Sequence, residues 1–329
     1  MAVDPDIIDL NDDRPFQESE WIRAGKEYPE KPPQYIENAK NMKFRVPVSY
    51  TQYYPKDDTP VLQFIAASLP DISKEIITVN PSTWFCRDSP TTNPVCLLTR
   101  PIPKADFLTR LEGISGQAWF NGSKSIVDSR YNDGKDRLPL WTVTFWKAMV
   151  DFAVQCDSWK HSMDWLKRVP AMEEDINEVF DVLSDLGWNT KLPYLRGAVT
   201  TRLFPAILSN EWLNDDHINI MMEELTQRLQ CQAGLENKAM VAPLGLANEL
   251  ARTRGRKQIC DRKSTPFLYL YAKRIQQKRI QQLYIPVHVN QNHWIVAYVD
   301  LERREVGYGE FESNIVNDIH DSQVYRGFN

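Results

Sequence analysis

The 329-residue chain is poor in cysteine, and no two of its cysteines are spaced to share a metal. Cys86, Cys96, Cys156, Cys231 and Cys260 are odd in number and scattered, with no C-x-x-C among them. A disulfide framework and a cysteine-based zinc set are both excluded on that ground; Cys86 and Cys96, the nearest pair, read as two buried thiols. Reduced thiols suit the cytoplasm or the nucleus. No apolar run reaches the length of a bilayer span, and the N-terminal MAVDPDIIDLNDDRPF has no basic start leading into an apolar stretch, so the expectation is a soluble intracellular protein away from the membrane. Excess basic charge is also missing. A net charge of -5 argues against a protein that coats nucleic acid.

What is present suffices for real cores: 42% of residues are apolar and ten are Trp, enough for one large or two moderate domains. Residues 1–60 mix acids, Pro and aromatics without period (PEKPPQY at 29–35, YYPKDDTP at 53–60), which predicts an irregular lead-in. Residues 61–199 read as mainly helical. Phe145, Met149, Phe152, Cys156, Trp159, Met163 and Leu166 recur at spacings of three and four, one stripe on a helix that stops before Pro170. Such a stripe is core rather than a ligand box. A second helix carries Met172, Ile176, Val179, Phe180, Leu183 and Leu186 and is expected to close at Gly187 in a left-handed cap. Lys191, Leu192 and Pro193 open a connector, with a domain boundary expected near residue 200.

Beyond it, Ile218, Met221, Met222, Leu225 and Leu229 mark one face of a helix that Asn214 or Asp215 can cap, with Trp212 just outside. The basic run from Ala251 to Lys263 reads as a solvated loop, with an import signal, a phosphate loop or a DNA contact as alternatives. Pro266 to Leu283 reads as a helix with Lys273, Arg274, Lys278 and Arg279 on its polar side. Leu283–Val289 and Trp294–Val299 are strands separated by the turn residues Asn290, Gln291 and Asn292, and Val306–Tyr308 is a third, shorter strand. Ile295, Ala297 and Val299 alternate with Trp294, Val296 and Tyr298. Both sets are apolar, so this strand should be central and covered on both faces.

The fold class is therefore α+β. His293 heads the central strand and Glu310 closes its neighbour, near enough for a carboxylate to orient an imidazole. Those are the base and orienter of a nucleophile, base and orienter triad. Asp300, the competing carboxylate, lies more than about 20 Å along the strand at roughly 3.3 Å per residue, and is better read as opening the next turn.

Two stretches in order, SNEWLNDDHINIMMEEL at 209–225 and IPVHVNQNHWIVAYVDLERREVGYGE at 285–310, resemble the ubiquitin-like-protein-specific cysteine proteases. This is the SUMO-deconjugating, sentrin-specific protease family, distantly similar to the adenoviral processing protease. Fungal transposon-associated members with long unrelated N-terminal regions are the nearest in style. The resemblance covers about residues 200–312, leaves 313–329 an unmatched tail, and is silent on residues 1–199. It implies a papain-like cysteine-protease fold, incomplete at the C-terminus, behind the mainly helical N-terminal region.

It also implies a cysteine-type peptidase or isopeptidase cleaving after a Gly-Gly tail, with no metal and no cofactor, whose partner is a ubiquitin-like protein (SUMO-like) or its conjugates. Nucleic acid is the weaker partner. In that scheme His293 is the general base and Glu310 its orienter, a Glu as in the adenoviral relatives where the family usually has Asp. Trp212 and Trp294 would clamp the tail, because only a residue without a side chain passes between two indole faces. Asp215 would touch basic residues on the ubiquitin-like surface. The family's nucleophile is a Cys in an Asp-Cys-Gly element beyond the carboxylate, preceded by a Gln. Here the nineteen residues after Glu310 hold no Cys, Gln323 has no Cys behind it, and Cys231 and Cys260 precede His293. The expectation is a chain without turnover as given, with a non-catalytic binding module as the alternative function. One face of the central strand would then lack its usual cover, leaving a chain poorly stable alone.

Overall fold

Proline starts the first helices among the described residues. Pro33, Pro47 and Pro60 are the N-caps of α1 (Gln34–Phe44), α2 (Val48–Thr51) and α3 (Val61–Ile65), where the pyrrolidine's fixed φ fits the helix entrance and its missing N–H costs nothing. The computed structural model describes residues 27–170, 173–193, 195, 199–232, 238–253, 262–290 and 293–310. Within it the irregular lead-in expected over 1–60 is corrected for residues 27–60. Ile36 of α1 is fully buried, Tyr50 lies 4.7 Å from Trp141 and Tyr54 stacks on Phe145 at 5.8 Å. Of the prolines in the stretches 29–35 and 53–60, Pro33 and Pro60 are helix starts.

The chain divides into two units, residues 1–160 with 177–187 and residues 161–176 with 188–329. The first unit continues through β1 (Phe85–Cys86), α4 (Ala105–Phe120), β2 (Ser125–Val127), β3 (Arg137–Pro139) and α5 (Thr142–Leu166), while α6 (Glu173–Asp185) ends in it. β1, β2 and β3 form a small antiparallel sheet. Strands of two or three residues are too short for alternation to show in the sequence. The core gathers Trp84, Leu108, Leu111, Trp119, Ile126, Phe145 and Trp146. One ion pair is buried in this unit. Arg130 sits 2.6 Å from Asp128 and also donates to the Pro101 carbonyl at 3.0 Å, so the desolvated charges are compensated.

The stripe on α5 is buried as core except for half-buried Phe152. Two expectations are corrected. Cys86 and Cys96 are half-buried rather than buried. Gly187 does not take a left-handed cap: it bridges Pro60, and Leu186 accepts from the Val61 N–H at 2.9 Å, so the chain leaves α6 extended and paired.

The second unit holds α7 (Phe204–Ile207), α8 (Asp215–Cys231), β4 (Ala239–Val241), α9 (Gly245–Arg252), α10 (Pro266–Lys278), β5 (Gln282–Val289), β6 (His293–Asp300) and β7 (Glu305–Glu310). The sheet order is β4-β5-β6-β7, parallel at the first pair and antiparallel at the others. This is the α+β arrangement, helices against a small mixed sheet. The helix expected over 266–283 is shorter: Arg279 turns left-handed at φ 53° and releases the chain into β5. Leu283 and Ile285 pack with Met240, Leu246 and Leu268 under α9 and α10, and Ala297 and Val299 lie at the margin of that cluster. On α8, Ile218 and Met222 pack with Val241, Leu213 and Trp294.

β6 is interior to the sheet, yet all eight of its residues are only half-buried. On β7, Val306 and Tyr308 are exposed. The Tyr298 ring lies over Gly307, where any Cβ would run into it. Among the described residues no helix is long and apolar enough to cross a membrane. Most of the basic run, Cys260, the turn residues Gln291 and Asn292, and the tail beyond Glu310 lie outside the described residues.

Candidate functional site

The site is built from the start of α8 and the first residues of β6. At α8, Asn214 is the N-cap, and its Oδ1 accepts from the backbone N–H groups of Asp216 at 3.0 Å and His217 at 3.2 Å. In return His217 Nδ1 accepts from the Asn214 N–H at 3.0 Å, completing a capping box. His217 is buried, and desolvation holds its pKa below the ordinary histidine value against the opposing pull of Asp216, the Leu203 backbone and Glu211. Asp215 opens the helix, exposed, in the first turn, where the helix dipole favours an acid.

Trp294 joins the two stretches. Its Nε1 donates to the Leu213 carbonyl at 3.0 Å, which ties β6 to the residue just before the cap. Its cross-strand partner is His288, and the two rings stack at 4.4 Å and 12°, so one indole face is occupied. Trp212 is one residue further out and 77% exposed. Both tryptophans are thus drawn to one locality, but Trp212 stands in solvent and makes no ring stack with Trp294 among the described residues.

His293 is the first residue of β6, half-buried and opposite Val289. Ile295 pairs with Glu310, so positions 293 and 310 fall in the same parity class of the ladder as diagonal neighbours, a separation of roughly 7–8 Å between Cα atoms. Consecutive residues of a strand point to opposite faces. His293 and Trp294 therefore flank one strand end from two sides. Asp300, at the other end, accepts from the Glu302 and Arg303 N–H groups at 3.0 and 2.8 Å and caps the turn. A separate open cleft of about 920 Å³ between α8, β4 and α10 is lined by Asp216, Met222, Tyr271 and Arg274 but includes neither His293 nor either tryptophan.

Residues 211–317 match the Ulp1 protease family, C-terminal catalytic domain. The likeness to ubiquitin-like-protein-specific cysteine proteases therefore holds over the stretch that carries α8, the whole mixed sheet and both site segments. Solved structures of SUMO protease Ulp1 with the catalytic cysteine oxidised to a sulfinic or a sulfonic acid are each 22% identical over 44% of this chain, with a TM-score of 0.31. The chain covers 59% and 58% of the length of those two structures. No curated protein matches.

Two residues of this locality escaped the sequence reading, His217 and His288. The Asn214…His217 spacing is that of a capping box, but His stands where Glu or Gln is usual, which hid the signal. His288 follows from the hairpin register, since counting out from the turn places it opposite Trp294.

Proposed function

We propose that the Ulp1-family stretch of this chain recognises the Gly-Gly tail of a ubiquitin-like protein in the manner of a cysteine peptidase. The observation that carries this reading is the Trp294 Nε1 bond to the Leu213 carbonyl, 3.0 Å, which brings the Trp-Leu-Asn-Asp and His-Trp stretches to one place. In this reading the tail crosses the first residues of β6. Trp294 offers the exposed part of its half-buried indole, Trp212 closes over the tail from solvent, and Asp215 meets basic groups on the partner's surface. His293 is the base position and Glu310 its orienter, two residues out of register on the neighbouring strand.

The function proposed is that of a cysteine-type peptidase domain whose recognition of a ubiquitin-like, SUMO-like protein, in the nucleus or cytoplasm, runs through this locality; a thiolate would complete the triad that His293 and Glu310 begin. Residues 200–312 act as the recognition domain and residues 61–199 as a separate region.

The test uses purified 1–329 and a SUMO-like protein with an intact Gly-Gly end. Capture is expected to be lost, by about thirtyfold or more in affinity, in Trp294→Ala, the scale of a buried aromatic anchor. It should survive His293→Ala. Capture that Trp294→Ala leaves unchanged, or that His293→Ala abolishes as fully, would overturn the reading.

A further inference from the structure

Every element of the proposed tail site on the α8 side depends on how the backbone from Trp212 to Asn214 is held. Leu213 supplies the carbonyl that fixes the Trp294 indole, and its side chain packs with Ile218, Met222 and Val241. Trp212 is so exposed that the backbone beside it sets its position. On the helix side, that backbone is pinned by the reciprocal bonds between Asn214 and His217.

In an ordinary capping box the returning acceptor is Glu or Gln, which accepts throughout the neutral and mildly acidic range. Histidine accepts at one nitrogen when neutral and at none when protonated. The Asn214 N–H aimed at Nδ1 places the proton of the neutral ring on Nε2. The one acceptor of the neutral ring is thus engaged, with none to spare. A proton on Nδ1 would set two N–H groups against each other inside a buried pocket.

We propose that His217 is the positioning residue of the tail site: as neutral imidazole it locks the Trp212–Leu213–Asn214 segment against Trp294, and its protonation releases that segment. The proposal rests on the tail-recognition reading above.

The charged groups facing the ring are Asp216 on its own helix and Glu211 on the preceding loop, with the Leu203 carbonyl from the segment before α7. All three favour the cation, and burial outweighs them. An unfolded histidine takes its proton near pH 6.5, the buried one only at lower pH. Between those two values the unfolded state binds more protons, so the locked form is fully favoured above about pH 6.5, weakens as pH falls through that window, and levels off below the buried ring's own pKa.

The experiment compares the full chain with His217→Gln, whose amide restores the acceptor without titrating. Hydrogen exchange of the 209–217 backbone, corrected for intrinsic pH dependence, and affinity for a SUMO-like protein with a Gly-Gly end are both read near pH 7.5 and near pH 5.5. The native chain should lose protection at 209–217 and about tenfold in affinity on acidification, the scale of one lost cap. His217→Gln should stay within about threefold across the range. Equal protection of 209–217 at both pH values, or a parallel loss in the native chain and His217→Gln, overturns the proposal. Protection that follows pH in the native chain and not in His217→Gln, with no SUMO-like protein bound at any pH, leaves the lock standing and removes the tail-recognition reading instead.

Discussion

In the first unit Trp84, Trp119, Trp146 and Trp159 are each no more than 2% exposed, whereas in the second the interior strand β6 is half-buried along its whole length and Trp212 is 77% exposed. Both units are rich in large apolar side chains. They differ in what those side chains meet. The first packs its rings against one another, edge and tilted contacts such as Trp84 to Phe107 at 4.7 Å and Trp84 to Trp146 at 6.1 Å, which adds specific geometry to burial. The second leaves β6 half-buried and Val306 and Tyr308 of β7 exposed. The difference lies in packing: the first unit encloses its rings, and the described part of the second does not enclose its sheet.

The contrast can be broken most directly by truncating one side chain from each unit. Trp146→Ala should lower the unfolding free energy by about 3–5 kcal/mol, the cost of emptying a packed aromatic site. Ile295→Ala on β6 should cost about 1 kcal/mol, because a half-buried side chain loses less contact and leaves an open rather than an enclosed gap. Denaturant unfolding measures both, and equal costs would mean that the sheet is as well packed as the aromatic core. Next in size, Gly307→Ala should destabilise by roughly 1–3 kcal/mol, since its Cβ must displace the Tyr298 ring, while Gly309→Ala meets open space and should fall within about 0.5 kcal/mol of neutral. If the two glycine variants behave alike, the Tyr298 ring is not fixed over β7. Asn214→Ala should cost about 1 kcal/mol and raise amide exchange in the first turn of α8. Smallest of all, Glu224→Gln breaks an exposed pair with Arg228, both side chains more than half exposed, and should change the melting behaviour by no more than about 0.5 kcal/mol.

Much of this was legible in the residues because it depends on local period. The stripe on α5, the Asn214 cap, the β5–β6 hairpin and the Asp300 turn each follow from spacing over a few residues. Most of what escaped in the fold had a common cause: its partner lies far away in sequence. β1, β2 and β4 are two or three residues long and exist only because another strand is beside them. Gly187 looked like a helix cap until Pro60, more than a hundred residues earlier, offered a bridge. Pro33 and Pro60 stand in stretches without period, yet the same ring chemistry makes them good helix starts, and only the packing of Ile36 and Val61 decides between the two.

By itself, then, the sequence determined the α+β class and the two stretches that match a protease family, with His293 and Trp294 heading one strand. Tertiary structure decided that Trp294 reaches the Leu213 carbonyl, that His288 takes one of its faces, that Trp212 remains in solvent, and that His217 is buried with its Nδ1 accepting from the Asn214 N–H. The reason is physical. Period and capping act through neighbours in the chain, while desolvation and ring stacking act through whatever the fold brings near.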